Sequence, residues 1–164
     1  MPTPAPEHTA TDASPAPTAL DVRACRRLLQ GNARSFHAAS LLLPRRVRDG
    51  ACALYAFCRV ADDAVDVEHG GAQAVAQLRA RLDAVYSGRP APNVADRALA
   101  HVVATHPIAR PLFDALIEGF AWDAEGRCYD TEDDLLDYAA RVAGSVGAMM
   151  AALMGVRSAE AVAR

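Results

Sequence analysis

The sequence predicts an all-α domain, and three observations carry that expectation. Apolar residues make up 52% of the 164-residue chain but aromatics only 5%. Alanine, leucine and valine must therefore fill the interior, which suits helix-on-helix packing better than a β-sandwich. Apolar positions recur three and four residues apart in one segment after another, the period of a helix. Glycine, proline and capping residues separate those segments. At this length a single domain with its own core is expected.

Residues 1–18 are rich in Pro, Ala and Thr and carry almost no large apolar side chain. Such a stretch cannot offset its ordering entropy, so a disordered tail is expected ahead of a helical domain over 19–164. Helical patterning begins near Leu20 (Val22, Cys25, Leu28, Leu29) and weakens at Gly31-Asn32, a C-cap pair. Ser35 to Leu43 reads as a short helix with Ser35 as N-cap, stopped by Pro44. The next helix is apolar on nearly every side (Ala51, Ala53, Leu54, Ala56, Phe57, Val60) and should be buried. Arg45, Arg46 and Arg48 fall in its solvated first turns.

Gly70-Gly71 breaks the chain. Val75, Leu78, Leu82 and Val85 then mark an amphipathic helix ending near Gly88, and Pro90 to Asn93 reads as a loop. Asp96 to His106 forms a further helix, closed before Pro107. His101 and His106 lack a second ligand three or four residues away and read as surface histidines. Pro111 opens the following helix, whose buried face is Leu112, Phe113, Leu116, Ile117 and Phe120, with Gly126 at its end. Thr131 caps the last helix, with Glu132, Asp133 and Asp134 placed where its dipole favours acids. That placement explains the run Asp133-Asp134-Leu135-Leu136-Asp137 without a metal. From Tyr138 the helix is expected to continue through Val142 to Met154. Gly144 and Gly147 cost it up to ~1 kcal/mol each. They admit close approach by another helix or by a long hydrocarbon.

A formal net charge of −3 argues against nucleic-acid binding. No glycine-rich nucleotide signature is present. Four cysteines without a CxxC pair suit thiols in a reducing cytoplasm. The first residues lack the charged and then apolar pattern of a secretion leader, so none is expected. The longest uncharged apolar run, Val142 to Val156, is shorter than the roughly 20 residues a membrane span needs. The expectation is a soluble cytoplasmic protein, compatible with peripheral membrane contact.

One stretch carries chemistry. As a helix, Tyr55-Ala-Phe-Cys-Arg-Val-Ala-Asp-Asp-Ala-Val-Asp66 aligns Tyr55, Arg59, Asp62 and Asp66 on one stripe, with Asp63 about 100° away. A solvated helix end would tolerate such acids at a cost of a few tenths of a kcal/mol. A buried helix would not, unless they met a cation. Asp62 and Asp66, one turn apart, suit Mg²⁺ held between carboxylates and a substrate diphosphate, with Asp63 a weaker candidate ligand. Arg59 adds a guanidinium fork that fits phosphate.

Tyr-Ala-Phe-Cys-Arg-x-x-Asp-Asp-x-x-Asp resembles the first aspartate-rich motif of the squalene/phytoene synthase family. Gly31 to Pro44, Glu118 to Asp123 and Tyr138 to Gly147 resemble its other segments, in the same order. The resemblance implies an isoprenoid-synthase helical bundle. It also implies a prenyltransferase that joins two geranylgeranyl diphosphates head to head into phytoene, by way of a cyclopropyl diphosphate. Farnesyl diphosphate and squalene are the alternative. It implies Mg²⁺ (or Mn²⁺), no nicotinamide for phytoene, and catalytic roles for Tyr55, Arg59, Asp62, Asp66 and Tyr138. Ser35 and Arg59 would meet the diphosphate, and Phe36, Val142, Ala143 and Gly147 the prenyl chain. A non-catalytic helical module remains a competing reading. A chain-elongating prenyltransferase would not be expected to carry Tyr-Ala-Phe-Cys-Arg before its acids. The family's second aspartate motif lies beyond the stretch matched here, so the chain is expected to be an incomplete domain with little synthase activity of its own.

Overall fold

A computed structural model describes residues 19–67 and 71–156, with the side chains of residues 19, 20 and 65–67 outside the description. The expected tail over 1–18, Gly70, and the final segment over 157–164 lie outside the described residues. Among the described residues every regular element is helical. In order these are α1 (Ala19–Asn32), α2 (Arg34–Ser40), α3 (Arg45–Val67), α4 (Gly71–Tyr86), α5 (Val94–Thr105), α6 (Arg110–Ala124) and α7 (Glu132–Ala139). A π-helical turn (Ala140–Gly144) and α8 (Ser145–Leu153) follow.

α3 is the longest element and the centre of the packing. It lies against α1 and α5 and also meets α4, α6 and α8. Its first half is the apolar stretch read from the sequence, and Ala51 to Leu54, Ala56 and Phe57 are buried. Phe57 meets Phe113 of α6 edge-on at 5.8 Å, and Phe113 in turn meets Tyr86 of α4 at 6.2 Å. Quadrupole-matched contacts of this kind add to the burial of the rings themselves. Two carboxylates are also buried, each gripped by an arginine from another helix. Asp96 accepts from Arg81 Nε and Nη2 at 3.0 and 2.6 Å, and Asp21 accepts from Arg97 at 3.3 and 2.6 Å.

The element boundaries correct several expectations. α2 begins at Arg34, its N-cap is Ala33, and no side chain caps it, so Ser35 sits exposed inside the helix. The Ala33 amide still bonds back to Leu29 while its carbonyl accepts from His37. α1 therefore passes into α2 across one residue and leaves no capping position for Ser35. α5 starts at Val94 because the Asn93 side chain accepts from the Asp96 amide at 2.9 Å. His106 is half-buried and bonded to Thr105, and with the exposed His101 it lines a cavity of about 430 Å³ between α1, α3 and α5. Gly88 and Gly126, at φ of 72° and 63°, end α4 and α6 as expected.

The expected unbroken helix beyond Tyr138 is interrupted by the π turn. The extra residue in that turn shifts the faces of the helix, as single π turns do. The close helix contacts also fall elsewhere than at Gly144 and Gly147. A Cβ on Gly119 would stand 2.5 Å from Val142 Cγ1, and one on Gly50 would stand 2.7 Å from Leu153 Cδ2. A Cβ on Gly147 would meet nothing within 4 Å.

Candidate functional site

The second half of α3 emerges from the core and carries the charged stripe. Arg59 Nη1 lies 3.2 Å from Asp62 Oδ2, and Nη2 lies 2.5 Å from Asp63 Oδ1. One guanidinium thus holds both acids, whose side chains are 44% and 48% exposed. Half-exposure corrects the expectation of buried carboxylates. The helix is buried only up to about Ala61, and beyond it the acids have water as well as Arg59. Asp66 lies on α3, but its side chain is outside the described residues. Among the described residues no cluster of three or more metal-ligating side chains forms. The Arg59 Nε is buried without a hydrogen-bond partner, so the guanidinium has donor capacity left over.

Tyr55, one turn before Arg59, stacks on Phe36 of α2 with ring centroids 5.9 Å apart. Burial raises the Tyr55 phenol, the Arg59 charge opposes that, and Asp63 and Asp62 add to it. Tyr55 and Phe36 therefore belong to one patch with Arg59, while Ser35 lies exposed on the same short helix as Phe36.

A second group gathers on α6, α7 and the loop between them. The Tyr138 hydroxyl donates to Asp123 Oδ2 at 3.0 Å, and its ring lies 4.9 Å from that of Tyr129. Its pKa is pushed up to about 12, by burial first, then by the hydrogen bond to Asp123 and the charges of Asp123, Tyr129 and Asp62. Arg127 and Arg141 hold their guanidinium carbons 4.0 and 4.2 Å from the Trp122 ring centroid. Arg141 also pairs with Glu118 at 2.9 Å. The Tyr129 hydroxyl is buried without a partner.

Val142 packs on Gly119, whereas Ala143, Gly144 and Gly147 are exposed as a strip of small residues C-terminal to Tyr138. Of the second acidic run, Asp134 bonds the capping Thr131, and Asp133 and Asp137 are exposed. That arrangement fits the reading of a helix start. Sequence reasoning missed Asp123, Trp122, Tyr129, Arg127 and Arg141. The first two sit in the recognised segment Glu118 to Asp123, but nothing local shows that Asp123 faces a tyrosine fifteen positions away.

The family model described as squalene/phytoene synthase matches residues 29–164. The phytoene synthase of Rhodobacter capsulatus is 54% identical over 147 residues, covering 88% of this chain and 43% of that protein. That of Cereibacter sphaeroides is 53% identical over 154 residues, with the same two shares. A ligand-bound dehydrosqualene synthase superposes with a TM-score of 0.76 at 34% identity, covering 82% of this chain and 47% of that one. A squalene synthase from Alicyclobacillus acidocaldarius gives 0.80 at 32% identity, covering 87% and 54%. The chain thus spans about half the length of the relatives it matches. It belongs to the squalene/phytoene synthase family.

Proposed function

We propose that the protein condenses two geranylgeranyl diphosphates head to head into phytoene by way of a cyclopropyl diphosphate, and that this chain carries the diphosphate end of that site. The observation supporting the reading is that one guanidinium, Arg59, holds both Asp62 and Asp63 on a half-exposed helix face, one turn from Tyr55 stacked on Phe36. Family membership and the phytoene synthase relatives supply the reaction class.

The donor set fits a hard divalent cation, since half-exposed carboxylates offer oxygens and leave room for water. Asp62 and Asp66 would hold Mg²⁺, or Mn²⁺, with Asp63 beside them. When bound, the ion supplies the charge that neutralises a departing diphosphate. Arg59 would turn its fork from the acids to that diphosphate, and Ser35 would bring a hydroxyl towards it. Ionisation leaves an allylic cation, which the double bond of the second chain attacks, and loss of a proton closes the cyclopropane. Tyr138, its hydroxyl donated to Asp123, would present that cation with its ring face. Tyr55, stacked on Phe36, serves the same end. Val142, Ala143 and Gly147 form the small-residue strip against which the prenyl chain lies. A second ionisation and loss of a proton give phytoene. Squalene would need hydride from a nicotinamide, and the choice of phytoene rests on the phytoene synthase relatives.

Isothermal titration of a farnesyl thiodiphosphate with Mg²⁺ tests the binding step. Asp62→Asn and Arg59→Met should each weaken binding about tenfold or more, with the helical circular dichroism unchanged. In the full-length protein Asp62→Asn should abolish turnover. A non-catalytic helical module would be indifferent to the change, and undiminished binding and turnover would refute the proposal.

A further inference from the structure

Between Val22 and Arg48 the chain carries seven arginines and no carboxylate, although its net charge is −3. The flanking acids are already engaged, Asp21 by Arg97 and Asp49 by Arg26. Arg34, Arg45 and Arg46 are exposed and make no ion pair among the described residues.

Amid this positive surface the turn between α2 and α3 presents two leucines to solvent. Leu42 is 88% exposed and Leu41 56%. The turn holds them there. The amides of Leu41, Leu42 and Leu43 donate to the carbonyls three residues back at 3.1–3.2 Å, and Ser40 Oγ donates to the His37 carbonyl at 2.7 Å. Beyond the tip, Val47 and Arg48 donate to the Pro44 carbonyl at 3.0 and 2.9 Å. Leu43 turns inward onto the core, so its two neighbours are displayed by a fixed backbone.

We infer that this tip docks on an anionic lipid bilayer, with Leu41 and Leu42 entering the acyl boundary and Arg34, Arg45 and Arg46 meeting the headgroup phosphates. Size favours a bilayer over a protein partner. Two leucines offer roughly 200 Å² of apolar surface, far below the about 800 Å² per side of a stable protein interface. Insertion needs no such area when a small apolar anchor is joined to a basic patch, since two weak signals together hold a protein at a membrane. Along α3 the tip lies about 26 Å from Asp62, taking 1.5 Å per residue from Arg45. The inference therefore stands apart from the diphosphate chemistry, and either can fail without the other.

Co-sedimentation of the 164-residue chain with vesicles tests it. Vesicles of phosphatidylcholine and phosphatidylglycerol in equal parts should bind the chain about tenfold or more tightly than phosphatidylcholine alone, with the difference lost at high salt. The pairs Leu41→Ser with Leu42→Ser, and Arg45→Gln with Arg46→Gln, should each lower binding about tenfold. All four side chains are exposed, so thermal melts should be unchanged. As an independent readout, an environment-sensitive dye on Leu42→Cys, in a chain with Cys128→Ser, should shift to the blue on mixed vesicles. No binding to mixed vesicles, leucine variants that bind as the wild type does, or a dye that stays in water would each overturn the inference.

Discussion

Asp123, fifteen positions away, adds to what burial already does to the titration of Tyr138. Its carboxylate accepts the phenolic proton at 3.0 Å, and both that bond and its charge favour the protonated ring. Asp123→Asn keeps the shape but removes the charge. The Tyr138 pKa should then fall part of the way from about 12 and stay above the ordinary value of 10, because burial remains, as read from phenolate absorbance. Tyr86 behaves similarly: burial raises its phenol to about 12, and its hydroxyl donates to the Ile108 carbonyl at 3.0 Å. Both folded pKa values exceed the unfolded one, so both residues bind the proton more tightly in the folded chain. Their contribution to stability is complete below pH 10 and is lost as pH rises towards 12. Denaturant midpoints that stay flat across that window would contradict this assignment.

At the scale of elements, the interface between α6 and the π turn is the most demanding. Gly119 is buried there, and the atom closest to its missing Cβ belongs to Val142, a β-branched side chain with little rotamer freedom. Gly119→Ala should push the π turn outward and cost about 1–3 kcal/mol in urea unfolding. The same change combined with Val142→Ala should recover part of that loss, because the conflict is with the valine methyl. A neutral Gly119→Ala would mean that α6 and the π turn are not so tightly opposed. The π turn is also the element that sequence periodicity could not anticipate. One extra residue per turn leaves composition unchanged, and only the fit of Val142 on Gly119 and of Leu153 on Gly50 selects it.

Across the fold, two buried carboxylates among the described residues tie α1, α4 and α5 together, through Arg81–Asp96 between α4 and α5 and Arg97–Asp21 between α5 and α1. Asp96→Ala would strand Arg81 beside the core and should cost about 3–5 kcal/mol, measurable as a lowered urea midpoint. A change near zero would show that water already reaches the pair. Asp96 carries no sign of this role in its local sequence, where it reads as a first-turn acid, and its partner lies fifteen positions earlier. The helices and their buried faces were legible because periodicity, caps and breakers act within a few residues of each other. The Tyr55–Arg59–Asp62 stripe was legible for the same reason, being a property of one helix. Three things were decided only when the helices packed: which carboxylates are buried, which tyrosine is held by Asp123, and where small residues receive a neighbour rather than open space. Each depends on a contact between residues far apart in the chain, up to 76 positions for Arg97 and Asp21, and no local pattern encodes such a partner.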